Sequence, residues 1–261
     1  MTAHPAYETV RDVTPFASVV LQDNPGAMTL EGTNTWLLRA PGAADVVVVD
    51  PGQADDVHLE RVLDAAPRLA LVLVTHGHFD HSQAGEALHA RTGAPVRALD
   101  PRHCHGGAAL ADGEVIEAAG LALHVLATPG HTADSLSFVV DADAAVLTGD
   151  TILGRGTTVV AHPDGVLGPY LEALHRLRDL GDVPVLGGHG PELPSVADVA
   201  AFYLAHREER LGQVRAALAE LGPAATARQV VEHVYTDVDR SLWPAAELSV
   251  EAQLAYLRGP A

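Results

Sequence analysis

The run Leu-Ala-Leu-Val-Leu-Val at 69–74 has no polar position, and it stops on Thr75-His76-Gly77-His78-Phe79-Asp80-His81. A strand with one wet face alternates apolar and polar residues. A strand apolar on both faces must be covered on both. Residues 44–50, ADVVVVD, repeat the pattern and end on Asp50. Further β-rich runs lie at 34–40, 120–128, 135–140, 144–150 and 183–188. Helical patterns lie between them at 54–66, 82–93 (closing on Gly93) and 168–181. Strands alternating with helices predict a layered α/β body with sheets covered on both faces.

The pattern changes after Pro194. Residues 195–222 read as one long amphipathic helix, with Ser195 as N-cap and Gly222-Pro223 as the stop. Shorter helices follow at 226–235 and 245–259. The reading is therefore one body over 1–194 and a small helical domain over 195–261. No internal repeat or low-complexity tract is evident.

The 261 residues, 48% of them apolar, suffice for one large domain or for one domain with an appendage. No apolar run nears the roughly 20 residues of a membrane span. The first residues show neither a basic start nor an apolar core of a signal peptide. Cys104 is the single cysteine, so an internal disulfide and a four-cysteine zinc knuckle are both excluded. A soluble, cytoplasmic protein is expected. The formal net charge is −18, and all 16 basic residues are arginine. Such an acidic chain repels generic polyanions, which weighs against a broad nucleic-acid-binding surface.

Ligand-capable side chains gather just after the apolar strands. His76, His78, Asp80 and His81 follow 69–74. His131 follows 120–128 in ATPGHTADS, Asp150 ends AAVLTGD, and His189 ends VPVLGGHG. In layered α/β folds, strand C-termini collect at one edge and sites form there. Imidazole and carboxylate are the zinc ligands that remain when thiolate is absent. Seven are too many for one tetrahedral ion and suit two ions sharing a carboxylate. Water bound between two cations ionises near neutral pH.

THGHFDH, TPGHTADS, LTGD and GGHGP, in this order, resemble the metallo-β-lactamase-fold hydrolases over roughly residues 18–194. The resemblance implies an αββα sandwich, two mixed β-sheets flanked by helices, as a catalytic domain over 1–194. It also implies roles. His76, His78 and His131 would bind one metal; Asp80, His81 and His189 the second; Asp150 would bridge, with Asp80 and Asp150 catalytic. Asp50 would hydrogen-bond behind the ligands, the alternative being a cap before Pro51-Gly52. The implied cofactor is two Zn²⁺ per chain, with Fe or Mn as alternatives. A bridging Asp at 150 points away from true β-lactamases. It points towards thioesterases of the glyoxalase II kind, ribonucleases, phosphodiesterases and lactonases. NPGAMTLEGTNTWLL at 24–38 and YLAHREERLGQVRAAL at 203–218 further resemble the beta-lactamase-like protein 2 group, which adds a winged-helix-like C-terminal module.

Three further residues are candidates for touching substrate. Arg155 follows the bridging Asp and could pair with an anion, or be a solvated loop residue. His162 lies on the same segment. His206 shares a face of the long helix with Arg207 and Arg210, a face read as mainly solvated. His103-Cys104-His105 is read as a surface loop, and His89 and His175 as ordinary helix residues. The leading expectation is a dinuclear zinc hydrolase whose metal-bridging hydroxide cleaves an ester or thioester of a small molecule. The alternative is an endoribonuclease or phosphodiesterase acting on single-stranded RNA. Weaker alternatives are a β-lactamase and a non-catalytic binding protein. No membrane partner is expected, and the oligomeric state is not legible.

Overall fold

The computed structural model describes residues 6–142, 144–236 and 239–259. Its strands form two mixed sheets. The first contains, in spatial order, β1 (Val10–Asp12), β2 (Ala17–Leu21), β3 (Asn34–Leu38), β4 (Val46–Val49), β5 (Leu69–Leu73) and β6 (Val96–Arg97). β1 to β4 pair antiparallel, whereas β4–β5 and β5–β6 are parallel. A parallel step needs a crossover. α1 (Asp56–Ala65) supplies the first; α2 (Phe79–Ser82) and α3 (Gly85–Thr92) supply the second. The other sheet runs β7 (Val115–Ala118), β8 (Leu121–Ala127), β9 (Leu136–Val140), β10 (Ala145–Gly149) and β11 (Val185–Gly187). Only its last step, β10–β11, is parallel, and α4 (Leu167–Arg178) lies in that crossover.

The continuous apolar strands are explained by where alternate residues go. Val47 and Val49 of β4 enter the core between the sheets, while Val46 and Val48 pack with Leu59, Val62 and Leu88 of the helices outside. β5 divides the same way, with Leu71 and Leu73 inward and Val72 outward. On β10, Ala145 and Leu147 face the other sheet and Val146 packs with Tyr170, Leu174 and Leu177 of α4. Burying each valine or leucine is worth about 1.5–3 kcal/mol. Both faces therefore select apolar residues, and the result is the expected αββα sandwich.

Three helices close the chain: α5 (Val196–Leu221), α6 (Ala227–Val234) and α7 (Trp243–Arg258). Ser195 caps α5, its Oγ accepting from the Asp198 amide, and Gly222 ends it at φ 95°. The first part of α5 packs on the sandwich, with Val196, Ala200 and Tyr203 in the α4 cluster. Val214 and Ala217 belong to a separate cluster with α6 and α7. α5 thus crosses from one body to the other, and no strand occurs in this region among the described residues.

Two local readings differ. The helix expected at 82–93 is two: α2 begins at Phe79, which puts Asp80 and His81 on its single turn, and α3 follows from Gly85. The short strands β1, β2, β6 and β7 carry too few residues or too mixed a pattern to stand out.

Candidate metal centre

Every ligand-capable residue sits where a strand ends. Thr75 and His76 follow β5, and His78, Asp80 and His81 occupy the start of α2. His131 lies between β8 and β9, Asp150 directly follows β10, and His189 follows β11. The two sheets are tied at this edge. Trp36 Nε1 donates across to the Gly187 carbonyl (3.1 Å), and Asn34 Nδ2 donates to the carbonyls of Gly187 and Gly190 (3.0 and 2.8 Å). Residues of β3 thereby hold the turn that carries His189.

Side-chain atoms converge in three overlapping groups: His76, His78 and His131; His76, His81 and Asp150; Asp80, His81 and His189. His78 Nδ1 is 3.0 Å from His76 Nε2 and 3.1 Å from His131 Nε2. His81 Nε2 and His189 Nε2 are 3.2 Å apart. Asp80 Oδ2 is 3.3 Å from His189 Nε2, and Asp150 reaches His81, His189 and His131 at 3.4, 3.4 and 3.7 Å. Two ligands of one tetrahedral zinc stand about 3.3 Å apart, given zinc–nitrogen distances of about 2.0–2.1 Å. The separations match that edge.

The outer ring nitrogens decide which tautomers are present. A carbonyl only accepts, so His131 Nδ1–H donates to Val159 O and His189 Nδ1–H to Gly32 O, both at 2.9 Å. The Thr75 hydroxyl gives its proton to Asp50 Oδ2 (2.8 Å), so it accepts from His76 Nδ1–H (3.0 Å). His81 Nδ1–H donates to the same carboxylate at 2.9 Å. In their neutral form all four rings then aim an Nε2 lone pair inward. Such lone pairs at 3.2 Å repel unless a cation lies between them. Asp150 Oδ1 is buried there with no hydrogen-bond partner. Orphaned acceptors facing one another form a donor set that fits metal cations.

The protonation equilibria express the same demand for positive charge. Burial opposes a charged His81, but Asp150 and Asp50 outweigh it and lift its pKa well above the ordinary value. Burial likewise opposes a charged His189, and Asp150 raises its pKa to about 9. Burial also disfavours the Asp150 carboxylate, yet His189 and His81 hold its pKa far below the usual carboxylate range. Burial, reinforced by neighbouring imidazoles, pushes His76 well down. The charge of this site lies on the Asp150, Asp80, His81 and His189 side.

Asp50 accepts the Thr75 amide through its Oδ1 at 2.7 Å, beside the contacts of Oδ2 to Thr75 Oγ1 and His81. It holds φ at +54°, a conformation that Asp and Asn enter more readily than other side chains. Of the three candidates for substrate contact, Arg155 borders a cavity of about 120 Å³ shared by His131 and Asp150, and it is ion-paired with Glu31. His206 borders a neighbouring cleft. His162 is exposed and lines a different hollow, between α4 and α7. Arg207 was expected on a solvated face, and it is instead 5% exposed. Its burial depends on α5 packing over residues 157–159, which no local pattern shows. His103 approaches Asp100 and Asp134 outside Gly77, but Asp100 is taken up by Arg102. The sequence reading missed Thr75 and the carbonyls of Gly32 and Val159. Thr75 adjoins His76 and was visible; a main-chain carbonyl carries no sequence signal.

The Metallo-beta-lactamase superfamily profile matches residues 28–189, and the Beta-lactamase associated winged helix domain profile matches 226–258. A beta-lactamase-like protein 2 homolog of Caenorhabditis elegans is 29% identical over 262 residues, covering 96% of this chain and 86% of that protein. An atrochrysone carboxyl ACP thioesterase of Aspergillus chevalieri is 29% identical over 249 residues, covering 90% and 78%. Among solved structures, a beta-lactamase domain protein from Burkholderia ambifaria superposes with a TM-score of 0.80 at 23% identity, covering 99% of this chain and 91% of that one. No helix among the described residues is long and apolar enough to cross a membrane.

Proposed function

The chain belongs to the metallo-beta-lactamase superfamily and is a hydrolytic enzyme, and from that premise we propose that it is a dinuclear zinc hydrolase of esters or thioesters. The observation that carries the metal reading is the convergence of inward lone pairs from His76, His81, His131 and His189 on a buried, unpartnered Asp150 oxygen. His76, His78 and His131 would hold one ion, Asp80, His81 and His189 the other, and Asp150 would touch both. When bound, the ions supply Lewis acidity and lower the pKa of a coordinated water.

The chain's own residues orient and shield the reaction. Asp50, Thr75 and the carbonyls of Gly32 and Val159 fix the imidazole tautomers. Asp80, buried beside His189, would orient the attacking water and accept its proton. The water oxygen bonds to the carbonyl carbon, the carbon–sulfur or carbon–oxygen bond breaks, and the departing thiolate or alkoxide takes up a proton. Met28 and Leu153, at the mouth beside His131, supply an apolar wall for the acyl part. The ester or thioester reading is supported by the thioesterase among the relatives and by the acidic composition, which disfavours long polyanions.

The test is a hydrolysis panel on zinc-reconstituted protein covering thioesters, esters, lactones, phosphodiesters, single-stranded RNA and β-lactams. Thioesters or esters should lead, two zinc ions per chain should be retained, and His78→Ala and Asp80→Ala should abolish turnover. Preference for RNA would overturn the substrate reading. Activity that survives both substitutions and chelation would overturn the metal reading.

A further inference from the structure

Beside the cavity over His131 and Asp150 lies a cleft of about 460 Å³ between the sandwich and the C-terminal helices. The two share Ala27, Met28 and residues 157–159 as a common wall. The far wall brings together His206, Arg207 and Arg210 from α5 and Gln253 from α7, and no carboxylate of the described residues lines it. In a chain with a net charge of −18, two arginines in one cleft without a lining acid form a local exception.

The polar groups here are also incomplete. Among the described residues, four buried side-chain atoms lack a hydrogen-bond partner: Asp150 Oδ1, Glu31 Oε2, Arg207 Nε and Gln253 Oε1. Three of the four line the two hollows, Asp150 the inner cavity and Arg207 and Gln253 the cleft, while Glu31 pairs with Arg155 of the inner cavity. A buried donor or acceptor left unpaired costs about 1–3 kcal/mol, so a site that retains two in one cleft is shaped for groups that arrive with a ligand. Arg207 and Gln253 are 5% and 2% exposed, so packing holds both in place. Arg207 stacks on Tyr170 and Arg210 on Tyr235, which further fixes the guanidinium planes.

Resting on the hydrolase reading for its role in catalysis, we propose that this cleft is a second substrate subsite, for an anionic, amide-bearing tail of the ester or thioester. Arg207 and Arg210 receive a carboxylate or phosphate, and the Gln253 carbonyl accepts an amide N–H. The subsite is coupled to the centre through one segment. Arg207 donates to the Thr158 carbonyl, Thr158 Oγ1 donates to the Asp150 carbonyl (2.6 Å), and the adjacent Val159 carbonyl orients His131. A tail seated on Arg207 therefore presses on the segment that positions two ligand-capable residues. Arg207 is a specificity and positioning residue that the C-terminal helices contribute.

Non-hydrolysable thioethers separate binding from turnover. S-ethylpantetheine, S-ethylphosphopantetheine and N-acetyl-S-ethylcysteinylglycine are titrated into the full zinc-treated chain by calorimetry. The first has amides without charge, the second adds a phosphate and the third has a carboxylate. At least one anionic probe should bind roughly 10- to 100-fold more tightly than the neutral one, the scale of a charge-assisted hydrogen bond. Which probe leads distinguishes phosphate from carboxylate. Arg210→Ala should collapse that ratio towards one, and Arg207→Lys, which keeps the charge but loses Nε, should reduce it. Arg210 is half-buried, so its variant keeps the test usable if Arg207→Lys does not fold. Equal binding of all three probes, or a ratio that survives Arg210→Ala, overturns the subsite. Discriminating binding without any hydrolysis would retain the subsite and remove the hydrolase reading.

Discussion

Asp50→Asn changes one buried oxygen to nitrogen at the point where three hydrogen bonds meet. Asn tolerates the positive φ at this position and has nearly the same shape, so the backbone is not the variable. The carboxylate accepts from the Thr75 amide, the Thr75 hydroxyl and His81 Nδ1. An amide can keep its oxygen towards the Thr75 N–H or towards the other two, but not both. With oxygen on the Thr75 amide, the NH₂ group meets His81 Nδ1, and the ring must carry its proton on Nε2. That removes the inward lone pair that faces His189. With the amide flipped, the Thr75 N–H is left buried against another donor, at about 1–3 kcal/mol. Loss of such an outer partner lowers metal affinity about 10- to 100-fold, which is about 1.4–2.8 kcal/mol. The loss should fall mainly on the ion held by Asp80, His81 and His189. Competition against a chromophoric chelator, with the zinc content of desalted protein, reads both affinity and stoichiometry. A folded Asp50→Asn protein that keeps two zinc ions at the original affinity would refute the tautomer argument.

Gly188→Ala should abolish metal retention while the chain still folds: a Cβ there lies 2.6 Å from Asp150 Oδ1 and 2.7 Å from His81 Cε1. Zinc analysis beside circular dichroism checks it, and retention of both ions counts against the close packing. In chelator-stripped protein, the His189 pKa is raised from 6.5 to about 9. Its contribution to stability is then complete below pH 6.5 and lost as pH rises through 9. Thermal melts should show the stripped protein losing Tm between pH 7 and 9.5, and a flat profile would remove that charge pattern. Trp36→Phe gives up the indole bond to Gly187 O and some volume between the sheets, at about 1–3 kcal/mol. A Tm fall of roughly 2–12 °C is expected, and an unchanged Tm would show that the tie between sheets carries no stability.

The body of the fold was legible because its strands are apolar on both faces. Val46–Val49 and 69–74 could only be strands covered twice, and their ends exposed the polar residues that follow. The convergence of His76, His78, Asp80, His81, His131, Asp150 and His189 followed from that register. β6 and β7 were not legible: one has two residues, and the other is an edge strand with only Ile116 buried. Arg207 was misread because its surroundings come from segments distant in sequence, Thr158 and Tyr170. Helical spacing placed it beside His206 and Arg210 but could not say what lay opposite.

The outer bonds of His131 and His189 end on main-chain carbonyls, those of His76 and His81 on Thr75 and Asp50. This divides the centre by its tolerance of mutation. A substitution at Val159 or Gly32 changes a side chain or strains a turn, yet the carbonyl remains part of the polypeptide. A substitution at Asp50 deletes the acceptor itself. Random sequence drift can therefore erode the orientation of His76 and His81 in one step, while His131 and His189 yield only to a change in the path of the chain. Single changes that inactivate by deleting an outer acceptor should accordingly concentrate at two neighbouring strand ends, after β4 and β5.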